Sequence, residues 1–326
     1  MVDIIRGQIV KHDVVKNARG GTEMQAELMV KHIDPDLLSK FQIIHSRIRE
    51  EHFEPDLLKV FVAHDLPQDP EVERLTDSSF RKQFAKIVFV SNWSLQQYNM
   101  ILGVPYKESH VIRNAVEPFP YVEKNTDGPI KILYHTTPHR GLNILVPVFE
   151  KLAEIHPDIH LDVFSSFSIY GWESRDEPYQ ELFDRCRNHD QITYHGAVDN
   201  SIIREKLQDT HIFAYPSIWP ETSCIAAIEA MSTCNYVVAP NYAALPETLA
   251  GYGVMYQWSE DIQEHANTFA NALNSTIMGI KRERETGERN RVLEHQFDYC
   301  RINYGYDRAK LEWEGLFKNI LTKVSK

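Results

Sequence analysis

The sequence predicts an α/β protein with two parallel sheets, each carrying crossover helices. Short β-branched runs recur between amphipathic segments: "FQIIH", "LKVFVAH", "KIVFVSN" and "SHVIRNA" first, then "IKILYHT", "HLDVFSS", "ITYHG", "HIFAYPS" and "NYVVAP". Turn residues bound each run, and the intervals between them have room for helices. Between the two sets lies "EPFPYVEKNTDGP", with three prolines, a glycine and no periodicity, which is the composition of a linker. The boundary is therefore placed near Lys124. This gives a first domain over 1–124, a second over 125–305, and a closing helix over 306–326. Ala309, Trp313, Leu316, Phe317 and Ile320 recur at helical spacing in that helix and predict a docking face that packs back on the first domain. With about four convincing strands, the first domain reads as reduced.

Composition narrows the class. A chain of 326 residues that is 43% hydrophobic and 25% charged can bury two cores, which excludes disordered and fibrous proteins. Cys186, Cys224, Cys234 and Cys300 form no CxxC pair and no His/Cys metal spacing, so neither a disulfide framework nor a zinc site is expected, and a reducing, cytoplasmic compartment fits. Charges interrupt "MVDIIRGQIVKHD" before any apolar run reaches signal-peptide length, and no segment approaches the roughly twenty apolar residues of a membrane span. The expectation is a soluble protein with at most peripheral membrane contact. Net charge is -11, most of it after Pro120. No basic face for nucleic acid is evident. The run "IKRERETGERNR" (280–291) reads as a solvated helix face.

The informative stretch is "WPETSCIAAIEAM" (219–231). Thr222 or Ser223 can cap a helix running through "CIAAIEAMS", with Glu221 in the loop just ahead of it. Ala226, Ala227 and Ala230 let this helix approach a sheet closely, and Glu229 lies among them. An ionised carboxylate there costs several kcal/mol unless donors satisfy it. Those donors are either adjacent ligand hydroxyls, as on a ribose, or a backbone group or arginine of the core. The amides at the helix start, Ser223 to Ile225, suit a phosphate. Roughly 12 Å and about 80° of helix rotation would separate Glu221 from Glu229, so they are poorly placed as a hydrolytic acid/base pair.

Three further features belong to the first domain. "NARGGTEMQ" sets Gly20 and Gly21 before Thr22, and Thr22 with Gln25 fits a capping box. "FVAHDLP" ends a strand with His64, and open α/β sheets bind ligands beyond the carboxyl ends of their strands. His64 is either a structural histidine or a group that orients the acceptor or the transferred sugar. Asp34-Pro35-Asp36 mimics an Asp-x-Asp metal motif, but Pro35 and the following leucines predict a turn into a helix. No metal site is expected.

The phrase "YPSIWPETSCIAAIEAMSTCNYVVAPNYAALPET" resembles the donor-site signature of glycosyltransferase family 4, the retaining GT-B group: Glu, seven residues, Glu, then Pro246-Glu247 after the next strand. "YHTTPHRGLNIL", "ITYHGAVDN", "FVSNW", "VIRNAVEP" and "NARGGTEM" extend the resemblance in the family's order. It implies two Rossmann-like domains facing a cleft and a nucleotide-diphosphate sugar as donor, with no further cofactor. It implies that Glu229 takes ribose hydroxyls, Glu221 sugar hydroxyls, and the amides of Thr222, Ser223, Cys224 and Ile225 the diphosphate. Arg140, between Pro138 and Gly141, falls where the family has a basic residue on the diphosphate. Gly21, His139 and His195 fall on the donor side, and His64 on the acceptor. A fixed cation and a helix start can stabilise a leaving group without a metal. The chain departs from the family at Cys234, where a glycine is usual, and upstream of Arg140, where Thr136, Thr137 and His139 replace a second basic residue. The expected function is transfer of a sugar to a saccharide or other hydroxyl acceptor. The alternatives are a phage-type DNA glucosyltransferase, disfavoured by the acidic balance, and a catalytically silent nucleotide-sugar or glycan-binding module.

Overall fold

A computed structural model describes residues 2–12, 20–287 and 290–325. Asn17, Ala18 and Arg19 of "NARGGTEM", and Glu288 and Arg289 of the mixed-charge run, lie outside the described residues. The chain forms two units, one of Met1–Glu117 with Ile302–Lys326, the other of Pro118–Arg301.

The first unit holds β1 (Val2–Ile5), β2 (Gln8–Lys11), α1 (Gly21–His32), α2 (Pro35–Leu38), β3 (Phe41–His45), β4 (Leu58–Ala63), α3 (Ser78–Arg81), β5 (Phe84–Phe89), α4 (Asn92–Leu102) and β6 (Ser109–Val111). The sheet order is β2-β1-β3-β4-β5-β6. β3 to β6 pair in parallel, as their apolar runs predict, while β1 is antiparallel to both β2 and β3. The expectation of about four strands is thus corrected to six, with an antiparallel edge. The hairpin escaped the sequence reading because β1 interrupts its apolar run with Asp3 and β2 has only two apolar residues. Its two-residue turn is Arg6-Gly7, both at positive φ (52° and 78°). That is type I′ geometry, which Asn-Gly announces and Arg-Gly does not.

The second unit holds β7 (Ile130–Tyr134), α5 (Leu142–Ile155), β8 (Ile159–Val163), α6 (Gln180–Asn188), β9 (Ile192–Tyr194), α7 (Asn200–Asp209), β10 (Ile212–Ala214), α8 (Ile225–Met231), β11 (Tyr236–Pro240), α9 (Leu245–Leu249), β12 (Val254–Tyr256), α10 (Ile262–Thr286) and α11 (Arg291–Asn303). Its sheet is wholly parallel, in the order β12-β11-β10-β7-β8-β9. β7, β10 and β11 are buried almost throughout, which is why they read as continuous apolar runs. Strand order reverses between β7 and β10, and ligands of open α/β sheets bind at such a switch point, beyond the carboxyl ends of the strands.

The last helix, α12 (Tyr306–Val324), belongs to the first unit. Its expected stripe is buried there, with Phe317 stacked on Phe41 at 4.5 Å between ring centres. No helix among the described residues is long and apolar enough to cross a membrane.

Candidate functional site

Two loops meet at the switch point of the second unit. The loop after β7 contains His135, Thr136, Thr137, His139 and Arg140 and ends at Gly141; the loop after β10 runs from Tyr215 through Glu221 to Cys224. Gly141 sits at φ +121°, and a Cβ there would lie 2.1 Å from the Pro216 carbonyl oxygen. Only a residue without a side chain lets these loops approach so closely. The approach brings Arg140 onto Glu221: Nη1 of the guanidinium donates to Oε1 of the carboxylate. The Tyr215 hydroxyl donates to the same oxygen. Glu221 is 4% exposed, and its carbonyl accepts from Ala244 N at 3.1 Å, which fixes the loop from the other side.

His139 lies between rings, stacked on Phe167 at 5.2 Å and edge-on to Trp219 at 5.1 Å. Burial, with help from the Arg140 and Arg175 charges, pulls its pKa down to about 4. Near neutrality His139 is therefore uncharged here, and what it offers a neighbour is a hydrogen bond. Among the described residues the buried atoms His139 Nδ1, His135 Nε2 and Thr137 Oγ1 have no hydrogen-bond partner. Such orphans are uncommon in native interiors and mark places where a ligand or water completes the bonding.

Cys224, rather than Thr222 or Ser223, occupies the cap position of α8, and it makes no side-chain cap bond. The helix has seven residues and ends before Cys234, which adopts φ +56°. Glu229 is 1% exposed. Of the two kinds of donor expected for it, the protein itself supplies one: Arg204 Nη1 and Asn200 Nδ2, both on α7, each reach it at 3.3 Å. Arg204 also donates to the Pro118 carbonyl at 3.2 Å and lies 3.6 Å from the centre of the Phe119 ring. Both bonds to Glu229 are at the long end of the range. Burial pushes the carboxyl's pKa up, partly countered by the Arg204 charge and then by these bonds.

His195 follows β9, stacks on Phe164 at 4.1 Å and meets Asp162 Oδ1 at 2.6 Å. In the first unit, Gly21 opens α1. The capping pair is Gly20 N with the Glu23 carboxylate at 2.9 Å, not Thr22 with Gln25. Gln25 instead exchanges two hydrogen bonds with the Ala115 backbone. His64, just after β4, meets His45 Nδ1 through Nε2 at 3.0 Å, and burial lowers its pKa to about 4. Both histidines line a small cavity with Gln25, Arg113, Asn114 and Tyr306. Asp34 caps α2 by accepting from Asp36 N, so the Asp-Pro-Asp sequence is a helix start, as expected. Among the described residues no group of three or more His, Cys, Asp or Glu could hold a metal.

Sequence reasoning missed Tyr215, Asn200 and Arg204. Tyr215 was legible as the residue that directly follows a strand of the second unit. The Asn200 and Arg204 partnerships with Glu229 span more than twenty residues and have no local signal.

Residues 119–291, more than half the chain, match the model of the family described as glycosyl transferases group 1. The chain belongs to that family. Over 143 residues it is 27% identical to a subunit of the human phosphatidylinositol N-acetylglucosaminyltransferase; the match covers 43% of this chain and 28% of that protein. Among solved structures it is similar to a glycosyltransferase from Rickettsia africae ESF-5, with a TM-score of 0.62 and 18% identity over 86% of this chain and 76% of the other. It is also similar to Anabaena HepE, solved in complex with UDP and glucose, with a TM-score of 0.63 and 14% identity over 81% and 72%. At these identities the structures establish the fold, which is GT-B.

Proposed function

We propose that this chain is a retaining glycosyltransferase of family 4 that moves a sugar from a nucleotide-diphosphate donor to a saccharide or other hydroxyl acceptor. The observation that carries the proposal is the convergence of Arg140 and Tyr215 on Glu221 at the switch point of a parallel sheet, with unsatisfied polar atoms beside it. HepE, which shares the fold, was solved with UDP and glucose bound, and that makes a uridine nucleotide the first donor to try.

In this reading the amides of Thr222 to Ile225 and the Arg140 guanidinium hold the diphosphate. One Arg140 nitrogen is engaged by Glu221, and the remaining N–H groups of the fork are free to face phosphate oxygens. As the glycosidic bond breaks, charge grows on the leaving phosphate, where a fixed cation and oriented amides lower its energy without reorganising. Glu221 takes hydroxyls of the transferred sugar and Glu229 those of the ribose, the ribose competing with the long bonds from Asn200 and Arg204. Gly21, His139 and His195 remain donor-side candidates. His64, neutral near pH 7, is assigned to orient the acceptor hydroxyl. The acceptor attacks the face that the leaving group vacates, and the leaving phosphate accepts its proton.

Calorimetry with a panel of UDP-, GDP- and ADP-sugars tests the proposal. One of them should bind, and Glu229→Ala should weaken that binding at least tenfold. A Glu229→Ala protein with unaltered donor affinity would remove the ribose assignment.

A further inference from the structure

Tyr215 is assigned no contact of its own with donor or acceptor. It follows β10 directly, is 0% exposed, and extends the strand pairing through its amide to the Val238 carbonyl at 2.9 Å. Phe213 stacks on it at 5.4 Å, and Tyr134 lies at 6.2 Å. The ring is thus held by packing, and its hydroxyl has one fixed position. From there it donates to Glu221 Oε1, the oxygen already taken by Arg140. Among the described residues no hydrogen bond reaches Oε2, and that oxygen is not among the buried unsatisfied atoms.

A carboxylate free to rotate presents either oxygen to a ligand. One with two donors on the same oxygen is locked, with the other oxygen aimed outward. We infer that Tyr215 is a positioning residue: it fixes the Glu221 carboxylate so that Oε2 receives a hydroxyl of the transferred sugar, and thereby governs recognition of the sugar half of the donor. The inference rests on the donor reading above. It makes Arg140 and Tyr215 unequal partners. Arg140 is partly exposed and shared with the phosphate, whereas Tyr215 is buried and serves Glu221 alone. Burial, together with the neighbouring Glu221 charge, holds the Tyr215 pKa well above its ordinary value, so the phenol stays a donor at every working pH.

The test separates the two halves of the donor. Wild type, Tyr215→Phe and Glu221→Gln are titrated with UDP and with UDP-glucose, or with the corresponding GDP or ADP pair if the panel selects another base. Tyr215→Phe should leave the UDP affinity within about twofold and weaken UDP-glucose about tenfold, the usual scale for one hydrogen bond to a charged group. Glu221→Gln should show the same sugar-selective loss, and the double variant should lose little more than either single one. A merely structural tyrosine would lower the melting temperature and weaken UDP and UDP-glucose equally, and that outcome overturns the inference. So does UDP-glucose binding that is unchanged in Tyr215→Phe. If wild type binds the nucleotides but shows no added affinity for any sugar, the inference fails while the donor reading stands. If it binds no nucleotide, the donor reading falls first.

Discussion

Replacing Gly141 with alanine tests the loop arrangement most sharply. The new Cβ would stand 2.1 Å from the Pro216 carbonyl oxygen, and 2.8 Å from its carbon, both backbone atoms. Real Cβ atoms do not approach within 3.0 Å, so the loops after β7 and β10 must separate by about 1 Å. Overpacking of that size costs about 1–3 kcal/mol, and φ +121° adds about 1–2 kcal/mol for any L-residue. A loss of about 3 kcal/mol lowers the melting temperature of a unit this size by about 6–12 °C. The same displacement carries Arg140 away from Glu221, and a misplacement of about 1 Å costs on the order of 100-fold in rate. Circular-dichroism melts and donor turnover measure the two effects. Gly279→Ala is the control, because its Cβ would meet nothing and alanine favours the interior of α10. A Gly141→Ala protein that melts and turns over like wild type would show that the two loops do not depend on their close approach at this residue.

Other predictions concern stability. His64, His135, His139 and His211 are each pulled down to about 4, and His45 lies well below its ordinary value, all chiefly by burial. The unfolded chain takes up these protons first, so stability should fall as pH drops from about 6.5 towards about 4, by at most about 1.4 kcal/mol per histidine at about pH 5.5; urea midpoints at about pH 7 and about pH 5.5 should differ, and His64→Gln should shrink the difference. Cys234 holds φ +56°, so Cys234→Gly, trading about 1 kcal/mol of relieved strain against a buried thiol, should stay within about 1 kcal/mol of wild type. Cys234→Val, β-branched at positive φ, should cost more than about 2 kcal/mol; a valine variant as stable as the glycine one would contradict the backbone argument. Phe317→Ala should remove about 3–5 kcal/mol by opening a cavity against Phe41, and a loss under about 1 kcal/mol in urea denaturation would show that α12 is not integral to the first unit.

Much of this architecture was legible because burial writes itself into parallel strands. β3, β4, β5, β7, β8, β10 and β11 are apolar runs between turns, and the seam between the two sets of runs is rich in proline. The stripe on α12 was equally plain, since 3.6-residue periodicity survives any tertiary context. What stayed hidden depended on contacts distant in sequence or on unusual residues in ordinary roles. Asp3 disguised the buried strand β1, Arg6 stood where Asn announces a hairpin, and β12 is only three residues long. At the site, the Glu221 and Glu229 spacing was readable, and so was the loop ending in Gly141. That Tyr215 and Arg140 share one oxygen, and that Arg204 reaches Glu229, follows from how the loops and α7 pack, which no local pattern encodes. The cap of α8 was misjudged for a related reason: hydroxyl residues favour cap positions in general, but here the loop is pinned at Glu221 by Ala244 and the helix begins later.

The most direct measurement is nucleoside-diphosphate release from the donor that binds, followed with saccharide acceptors present, for wild type and Arg140→Ala, with and without EDTA. Release should run well above the buffer rate, change little with EDTA, and be at least about 100-fold slower in Arg140→Ala. Release at the buffer rate with every donor, or an Arg140→Ala protein as fast as wild type, would contradict the proposed function.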